Sequence, residues 1–379
     1  MIDIDELLDD TATTVGLDDY GDPTFREGLE RLDEAAEADA ALSELGRLVL
    51  AGSVAGALAS RLRVVDWVKH HPEVTTQPVA TPLFIVGQPR TGTTALSHLL
   101  AADPANRSLL AWEANDPIPP PTTATYATDP RFEAAKAAPN LLADINPDFK
   151  TMHHDAPDEP VECLLLLNQH VASLQFSAMF HVPRYDRWLH ETDLVPSYRY
   201  HRLGLQVLQS EHPGRWQLKS PHHQLGIDAL TTVYPDARLV WTHRDPIAVI
   251  GSLCSVTCSL TGTFTDADLR HAIARHWLEQ AAAMAERMVA YRDRAGDGAF
   301  HDVAYRDFTT DSVAATAALY DRFGMELTPE AEGAMRAHAA TKVQGQHGAH
   351  TYELADFGLD QAQVRERFAG YLDRFGEYV

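Results

Sequence analysis

Short apolar runs alternate with longer amphipathic segments over most of the chain after residue 80. Apolar residues recur at helical spacing in the amphipathic segments. In the short runs they are nearly continuous, which is typical of strands buried on both faces. The strand-like runs are residues 83–86, 216–220, 238–243 and 300–305. Strands that alternate with helices predict a parallel sheet with helices on both faces. We therefore predict an α/β fold with a central parallel β-sheet flanked by helices.

The first 78 residues have a different pattern, without a strand-like run. Charged and apolar residues alternate there at helical spacing, most clearly over residues 25–50. We predict an N-terminal helical subdomain over residues 1–78 and a larger α/β domain over residues 79–379. The N-terminal helices either only pack against the main body or also share in a ligand pocket.

A glycine-bounded loop follows the first predicted strand and leads into a helix. Its sequence is GQPRTGTT, from Gly87 to Thr94. Backbone N–H groups of such a loop face one hollow, where the helix dipole also favours an anion. The spacing is that of a P-loop, but Thr93 stands where nucleotide triphosphatases have a lysine. The cation is Arg90, inside the loop. We predict a P-loop-like phosphate site here, with an ordinary strand-to-helix turn as the alternative.

Basic residues also follow the second and third predicted strands. Lys219, His222 and His223 come after the second, and Arg244 comes after the third. Carboxyl ends of parallel strands meet at one edge of a sheet, where ligands bind. We therefore expect these side chains on the same rim as the phosphate loop. The alternatives are an ion pair between Arg244 and Asp245 and purely structural histidines.

Composition narrows the class of partner. The 379 residues carry a formal net charge of −23, which argues against nucleic acid or an anionic membrane surface as a partner. The three cysteines, Cys163, Cys254 and Cys258, form no CxxC pair, so a reducing cytoplasm is expected. We find neither a signal-peptide pattern nor an uninterrupted apolar run of 18 residues, and we predict no membrane span.

A cluster of histidines and acids precedes an apolar helix near residue 163. Three interpretations are open for it: a metal site, a solvated helix start, or acceptor-site chemistry. No HExxH or His-x-x-x-His spacing occurs there, so a metal site is disfavoured and none is predicted. The cluster consists of His153, His154, Asp155, Asp158, Glu159 and Glu162.

In this order and spacing, the motifs resemble the sulfotransferase superfamily, in particular its bacterial branch. That family uses 3′-phosphoadenosine-5′-phosphosulfate (PAPS) as sulfuryl donor. Residues 89–94, PRTGTT, are similar to its 5′-phosphosulfate loop. Arg244 and, eight residues later, Ser252 are similar to its 3′-phosphate pair. Residues 218–223, LKSPHH, resemble the L-K-S-P-x-H string of the bacterial branch.

The resemblance implies a set of donor-site residues. These are Arg90, Thr91, Gly92, Thr93, Thr94, Arg244, Ser252 and Lys342. Lys342 belongs to a late segment, with Gln344, Gln346 and His347, that resembles the family's loop over the nucleotide. Tyr305 is expected either to contact the adenine side or to pack.

The resemblance also implies in-line transfer to a hydroxyl without a metal. Arg90 and Lys219 are expected to stabilise the leaving phosphate. His223 is the first candidate for the general base and His222 the second. A carboxylate, Glu162 or Glu159 with His154 nearby, is the third.

The acceptor is expected to be a small alcohol or phenol of hydrophobic character, in the sense that an apolar pocket would bind it. The wall of that pocket is expected to include aromatic side chains, which could alternatively belong to the hydrophobic core: Trp112, Phe176, Phe180 and Trp188. Nucleic acid is not expected as a partner, and homodimer formation is left open. Two other functions stay open: an ATP-dependent kinase or NTPase of the P-loop class, and an inactive nucleotide-binding scaffold.

Overall fold

The centre of the fold is a sheet of five parallel strands in the order β2-β3-β1-β4-β5. The structure, a computed structural model, describes residues 3–138, 141–147, 156–341 and 352–379. The strands are β1 (Leu83–Ile85), β2 (Asn106–Ser108), β3 (Arg215–Lys219), β4 (Arg238–His243) and β5 (Phe300–Ala304). Four of them occupy the predicted runs, and the α/β prediction is confirmed.

The sequence analysis did not predict the edge strand β2. It has three residues, Asn106, Arg107 and Ser108, and none of them is apolar. Because β2 pairs only with β3, it does not need the apolar run of a central strand. On its other side β3 pairs with the central strand β1, and Lys219 at the end of β3 lies in register with Ile85 at the end of β1.

Helices cover the sheet and supply most of the remaining structure. The N-terminal ones are Ile4–Val15, Phe25–Asp39 and Glu44–His70. Those from the phosphate loop to β3 are Thr93–Ala101, Ala111–Asn115, Pro130–Ala137, Leu141–Ile145, Leu164–Asn168, Leu174–Met179, Pro183–Glu191 and Val195–Gln209. Those after β3 are His222–Leu225, Ile227–Val233, Pro246–Gly262, Arg270–Ala295, Tyr305–Thr310, Ser312–Arg322, Pro329–Thr341, Gln361–Arg367 and Ala369–Phe375.

The N-terminal helices and one face of the sheet share a hydrophobic core. Leu29, Leu50 and Leu58 belong to the same buried cluster as Phe84 and Val86. Shared burial of this kind joins the two predicted parts energetically. The division at residue 78 stays a prediction.

Among the described residues, Glu44–His70 is long and apolar enough to cross a membrane, with a mean hydropathy of 1.5 over the best window. Part of that window, 39%, is buried in the protein. Core helices of globular proteins have the same length and composition, and this helix places Leu50, Val54 and Leu58 in the core.

Candidate functional site

The phosphate loop is built by a strand end, two glycines and a threonine bridge. The N–H of Val86 still bonds to the carbonyl of Val240 in β4, at 2.9 Å, and the chain then leaves the sheet. Thr91 closes the loop: its hydroxyl donates to the carbonyl of Gln88, and its oxygen lies 2.6 Å from the hydroxyl oxygen of Thr242. The loop is therefore fixed against β4.

Glycine is required at two positions of this loop. A Cβ on Gly87 would lie 1.8 Å from the hydroxyl oxygen of Thr242, so only hydrogen fits there. Gly92 has a φ of +90° and precedes the first residue of helix Thr93–Ala101. Arg90 also lies in the left-handed region, with a φ of +69°. Such conformations in a non-glycine residue persist only where neighbouring contacts impose them, as at ligand sites.

Arg90 is in direct contact with helix Pro246–Gly262 and with Arg244, which lies just before this helix. The Nε of Arg90 donates to the hydroxyl of Ser252 at 2.9 Å, and Arg244 Nη1 donates to the carbonyl of Arg90 at 2.7 Å. The two basic residues predicted to bind separate phosphates are thus joined through side chain and backbone. The alternative of an ion pair between Arg244 and Asp245 is not what the carboxylate of Asp245 shows. It caps this helix by accepting a hydrogen bond from the N–H of Ile247.

Two tyrosines flank the guanidinium groups. The guanidinium of Arg244 lies 4.2 Å from the ring centroid of Tyr305, a cation–π contact. Tyr352 packs so tightly on the same helix that a Cβ on Gly251 would lie 2.4 Å from its ring. Burial, and then repulsion from Arg244, lowers the pKa of Arg90, while Tyr352 and Tyr305 raise it slightly. Two adjacent cations favour an anionic ligand.

A second set of side chains adjoins the loop at the end of β3. Lys219 Nζ donates to the hydroxyl of Thr94, at 3.1 Å, and to Oε1 of Glu162, also at 3.1 Å. The Lys219 side chain is 3% exposed, whereas that of Glu162 is 26% exposed. A buried lysine therefore connects the phosphate loop with a partly exposed carboxylate.

His222 and His223 lie behind this set, without exposed surface. The Nδ1 of His223 is 2.9 Å from the Tyr198 hydroxyl oxygen, and Nδ1 of His222 accepts a long bond of 3.4 Å from the N–H of Leu174. Burial lowers the pKa of His222 to about 3 and that of His223 well below its ordinary value. Burial therefore favours the neutral form of both imidazoles, and their buried Nε2 atoms have no hydrogen-bond partner among the described residues.

The structure brings most of the predicted site residues together. Around one loop it gathers Arg90, Thr91, Gly92, Thr93, Thr94, Lys219, Glu162, Arg244 and Ser252. Lys342, Gln344, Gln346 and His347 lie outside the described residues, as do His153, His154 and Asp155. Within the described ranges, no three histidine, cysteine, aspartate or glutamate side chains are arranged to hold a metal ion.

For three of the four aromatic side chains considered for the acceptor pocket, burial favours the alternative of a place in the core. Trp112, Phe176 and Phe180 are buried, at 4%, 1% and 0% exposure, and belong to the core. Trp188 donates its indole N–H to Glu27 on an N-terminal helix. The residues near Glu162 in the sequence include three partly buried apolar ones, Val161, Leu164 and Leu165, which pack against the core.

Sequence reasoning missed Tyr352 and Thr242 as parts of the site. Gly251 offered the one available signal for Tyr352, since a glycine inside an apolar helix indicates close packing. Thr242 lies one residue before the end of β4, so its hydroxyl reaches the loop from the neighbouring strand end.

Comparison with known proteins identifies the family. A model of the sulfotransferase family, Sulfotransfer_3, matches residues 82–329. Among curated proteins, the omega-hydroxy-beta-dihydromenaquinone-9 sulfotransferase Stf3 is similar in Mycobacterium bovis and in Mycobacterium tuberculosis, at 28% identity over 176 residues. These alignments cover 45% of this chain and 44% of the relatives, so the matched part is less than half of their length.

Solved structures match over nearly the whole chain. The sulfotransferase STF1 from Mycobacterium tuberculosis H37Rv is 35% identical, with a TM-score of 0.87, and the match covers 97% of this chain and 99% of that one. The sulfotransferase STF9 from Mycobacterium avium is 34% identical, with a TM-score of 0.88 and coverage of 98% and 96%. The family match and these full-length likenesses together show that this protein belongs to the sulfotransferase family.

Proposed function

We propose that this protein transfers a sulfuryl group from PAPS to the hydroxyl of a small, largely apolar alcohol or phenol in the cytoplasm. The observation that carries the proposal is the contact between Arg90 and Arg244, which unites two anion-binding elements in one site. A nucleotide with phosphate on both ends of its ribose needs two such elements. The three cysteines of the described residues are free thiols, as a reducing compartment favours.

The residues present fit PAPS as a substrate. The loop N–H groups, Arg90 and the hydroxyl of Thr94 would hold the 5′-phosphosulfate, because the loop leads into the N-terminus of helix Thr93–Ala101, where free backbone N–H groups bind anions. Arg244 and Ser252 would hold the 3′-phosphate. Lys342 remains a predicted contact. The kinase alternative has less support, because Thr93 occupies the position of the P-loop lysine.

The reaction we propose is an in-line displacement at sulfur. A bond forms between the acceptor oxygen and sulfur, and the bond between sulfur and the bridging oxygen breaks, so that the electron pair leaves with the 5′-phosphate. Lys219 and Arg90 stabilise the charge that develops on that phosphate, a role for which preorganised donors in a buried site are effective.

Glu162 is the group we now favour as general base, in preference to His223 and His222. Its carboxylate is partly exposed and adjoins Lys219 at the loop. Both imidazoles are fully buried, so an acceptor hydroxyl would reach them only after a rearrangement. The acceptor proton therefore passes to a Glu162 oxygen, and Lys219 holds that carboxylate beside the transferred group.

A largely apolar acceptor is supported by the surroundings of Glu162. Val161, Leu164 and Leu165 are partly buried apolar residues on both sides of it. The similar Stf3 proteins are named as sulfotransferases of omega-hydroxy-beta-dihydromenaquinone-9, a hydroxylated menaquinone and therefore a lipid-like alcohol. We propose the same chemical class, an alcohol on an apolar chain or ring.

Calorimetry and a transfer assay test the proposal. We expect 3′-phosphoadenosine-5′-phosphate (PAP), the desulfated product, to bind at least tenfold more tightly than AMP or ATP with Mg²⁺. We expect radiolabelled sulfate to pass from PAPS to long-chain alcohols or phenols. Equal binding of PAP and AMP, or tighter binding of ATP with Mg²⁺, would contradict the donor. PAP binding without transfer to any alcohol or phenol would instead support the inactive scaffold.

A further inference from the structure

A buried ion pair lies next to the segment that carries Glu162. Arg107 Nη2 donates to Oε2 of Glu113 at 2.7 Å, and the two side chains are 3% and 0% exposed. Arg107 Nη1 donates to the carbonyls of Leu208 and His212, and its guanidinium lies 4.3 Å from the Trp216 ring centroid. A pair this deeply buried is weak evidence for stability in itself, because desolvation offsets the attraction.

The second oxygen of Glu113 reaches the backbone. Its Oε1 accepts a bond of 3.2 Å from the N–H of Leu110. That N–H belongs to the same peptide group as the carbonyl of Leu109, and this carbonyl accepts from the N–H of Val161 at 2.8 Å. The Glu113 carboxylate therefore orients one peptide plane, and the other side of that plane binds the residue directly before Glu162.

Glu162 is thus held through the backbone on both sides. The N–H of Val161 is bound by Leu109, and the N–H of Cys163 donates to the carbonyl of Lys219 at 3.0 Å. The second link belongs to β3, whereas the first depends on Leu109 and Leu110, the two residues that join β2 to helix Ala111–Asn115, where Leu110 also forms an isolated bridge with Pro160. The Glu113 carboxylate adds a hydrogen bond to this connection, and hydrogen bonds to charged groups are stronger than those between neutral groups.

We infer that Glu113, fixed by Arg107, is a positioning residue for catalysis that sets the place of the Glu162 carboxylate through the Leu109–Leu110 peptide. This inference rests on the proposed role of Glu162 in sulfuryl transfer. Glu113 itself is fully buried and does not touch the reacting atoms.

A matched pair of double variants isolates the backbone contact. Arg107→Met with Glu113→Gln and Arg107→Met with Glu113→Leu both remove the buried charges, but only glutamine can still accept from the N–H of Leu110. We expect the leucine variant to have a kcat about 10–100-fold below that of the glutamine variant, because small misplacement of a reacting group is costly. The KM for PAPS and the PAP affinity should agree between the two, which a general loss of structure would not allow.

Glu113→Asp provides the second test and keeps the charge pair, so it covers the case in which the double variants fail to fold. Its shorter side chain cannot span Arg107 and Leu110 together, and we expect kcat to fall about tenfold with unchanged PAP binding. Equal kcat in the two double variants, or a wild-type kcat in Glu113→Asp where the doubles do not fold, overturns the inference. If Glu162→Gln keeps the wild-type kcat, it is the assignment of the base that fails.

Discussion

The guanidinium of Arg244 donates a hydrogen bond of 2.7 Å to the backbone carbonyl of Arg90. This bond ties the strand end of β4 to the phosphate loop after β1, and Arg90 returns a contact to Ser252 on the helix that follows β4. The two guanidinium groups are close enough to repel each other, and a bound anionic nucleotide would relieve this repulsion. This arrangement supports the proposed binding of a nucleotide with two phosphate groups.

Arg244→Gln should weaken PAP binding about 10–100-fold, since a hydrogen bond to a charged group contributes about 1.5–3 kcal/mol. The affinity for AMP, which has no 3′-phosphate, should change little. Isothermal titration with both nucleotides measures the two effects. Ser252→Ala is the milder companion variant, with a smaller loss of PAP affinity. An equal loss for PAP and AMP would mean that Arg244 supports the loop rather than the 3′-phosphate.

Glu162→Gln should lower kcat by about 10²–10⁴-fold, the usual contribution of general base catalysis, and leave PAP affinity unchanged. The amide can still accept from Lys219 but cannot take up the acceptor proton. Single-turnover transfer from PAPS measures the effect. His223→Gln is the control and should keep kcat within a few-fold of the wild type, although it lowers stability. The opposite result, with only the His223 variant inactive, would make the imidazole the base.

Gly251→Ala should lower both the melting temperature and the PAP affinity. A Cβ there would lie 2.4 Å from the Tyr352 ring, so the ring must leave its place beside Arg90. Gly262→Ala in the same helix has no neighbour within 4 Å and should be neutral or stabilising, because alanine is the better helix former. Thermal unfolding with and without PAP compares the two variants. Identical behaviour would show that Tyr352 adapts without cost.

The free energy of unfolding should fall as the pH drops below about 6.5. His170, His201 and His222 are buried with pKa values of about 3, and the pKa of His223 is also depressed, mainly by burial. Unfolding exposes these imidazoles, which then bind protons that the native state excludes. Above the unfolded-state pKa, each of these histidines contributes its full share of the free energy of unfolding. As the pH falls from there toward 3, that share is lost at about 1.4 kcal/mol per pH unit for each histidine.

Denaturant titrations between pH 4 and 8 measure this dependence. His222→Gln should make the decline between pH 6 and 4 less steep, because one proton uptake is removed. A decline with the wild-type slope would mean that His222 is already protonated in the native protein.

Local patterns were sufficient for four strands and for the phosphate loop. A buried parallel strand needs a continuous apolar run, and a phosphate cradle needs glycine at positions where a side chain collides, as Gly87 shows against Thr242. The three-residue strand β2 follows no such rule, because an edge strand tolerates polar residues. The adjacency of Arg90, Arg244 and Lys219 also followed from the sequence, through the rule that parallel strands end at one edge.

The observation behind our proposal of Glu162 over the two histidines lay beyond the sequence. All three have the right chemistry and lie near strand ends or the helix that follows, and the resemblance of residues 218–223 to the family's L-K-S-P-x-H string ranked His223 first. Burial separates them, since the imidazoles pack under β1 with Phe84 and Tyr198 while Glu162 stays partly exposed beside Lys219. Short stretches of sequence were therefore sufficient to predict the sheet, the phosphate loop and the family. Which side chains reach the solvent-facing edge depends on packing between residues more than fifty positions apart, as Lys219 and Glu162 show.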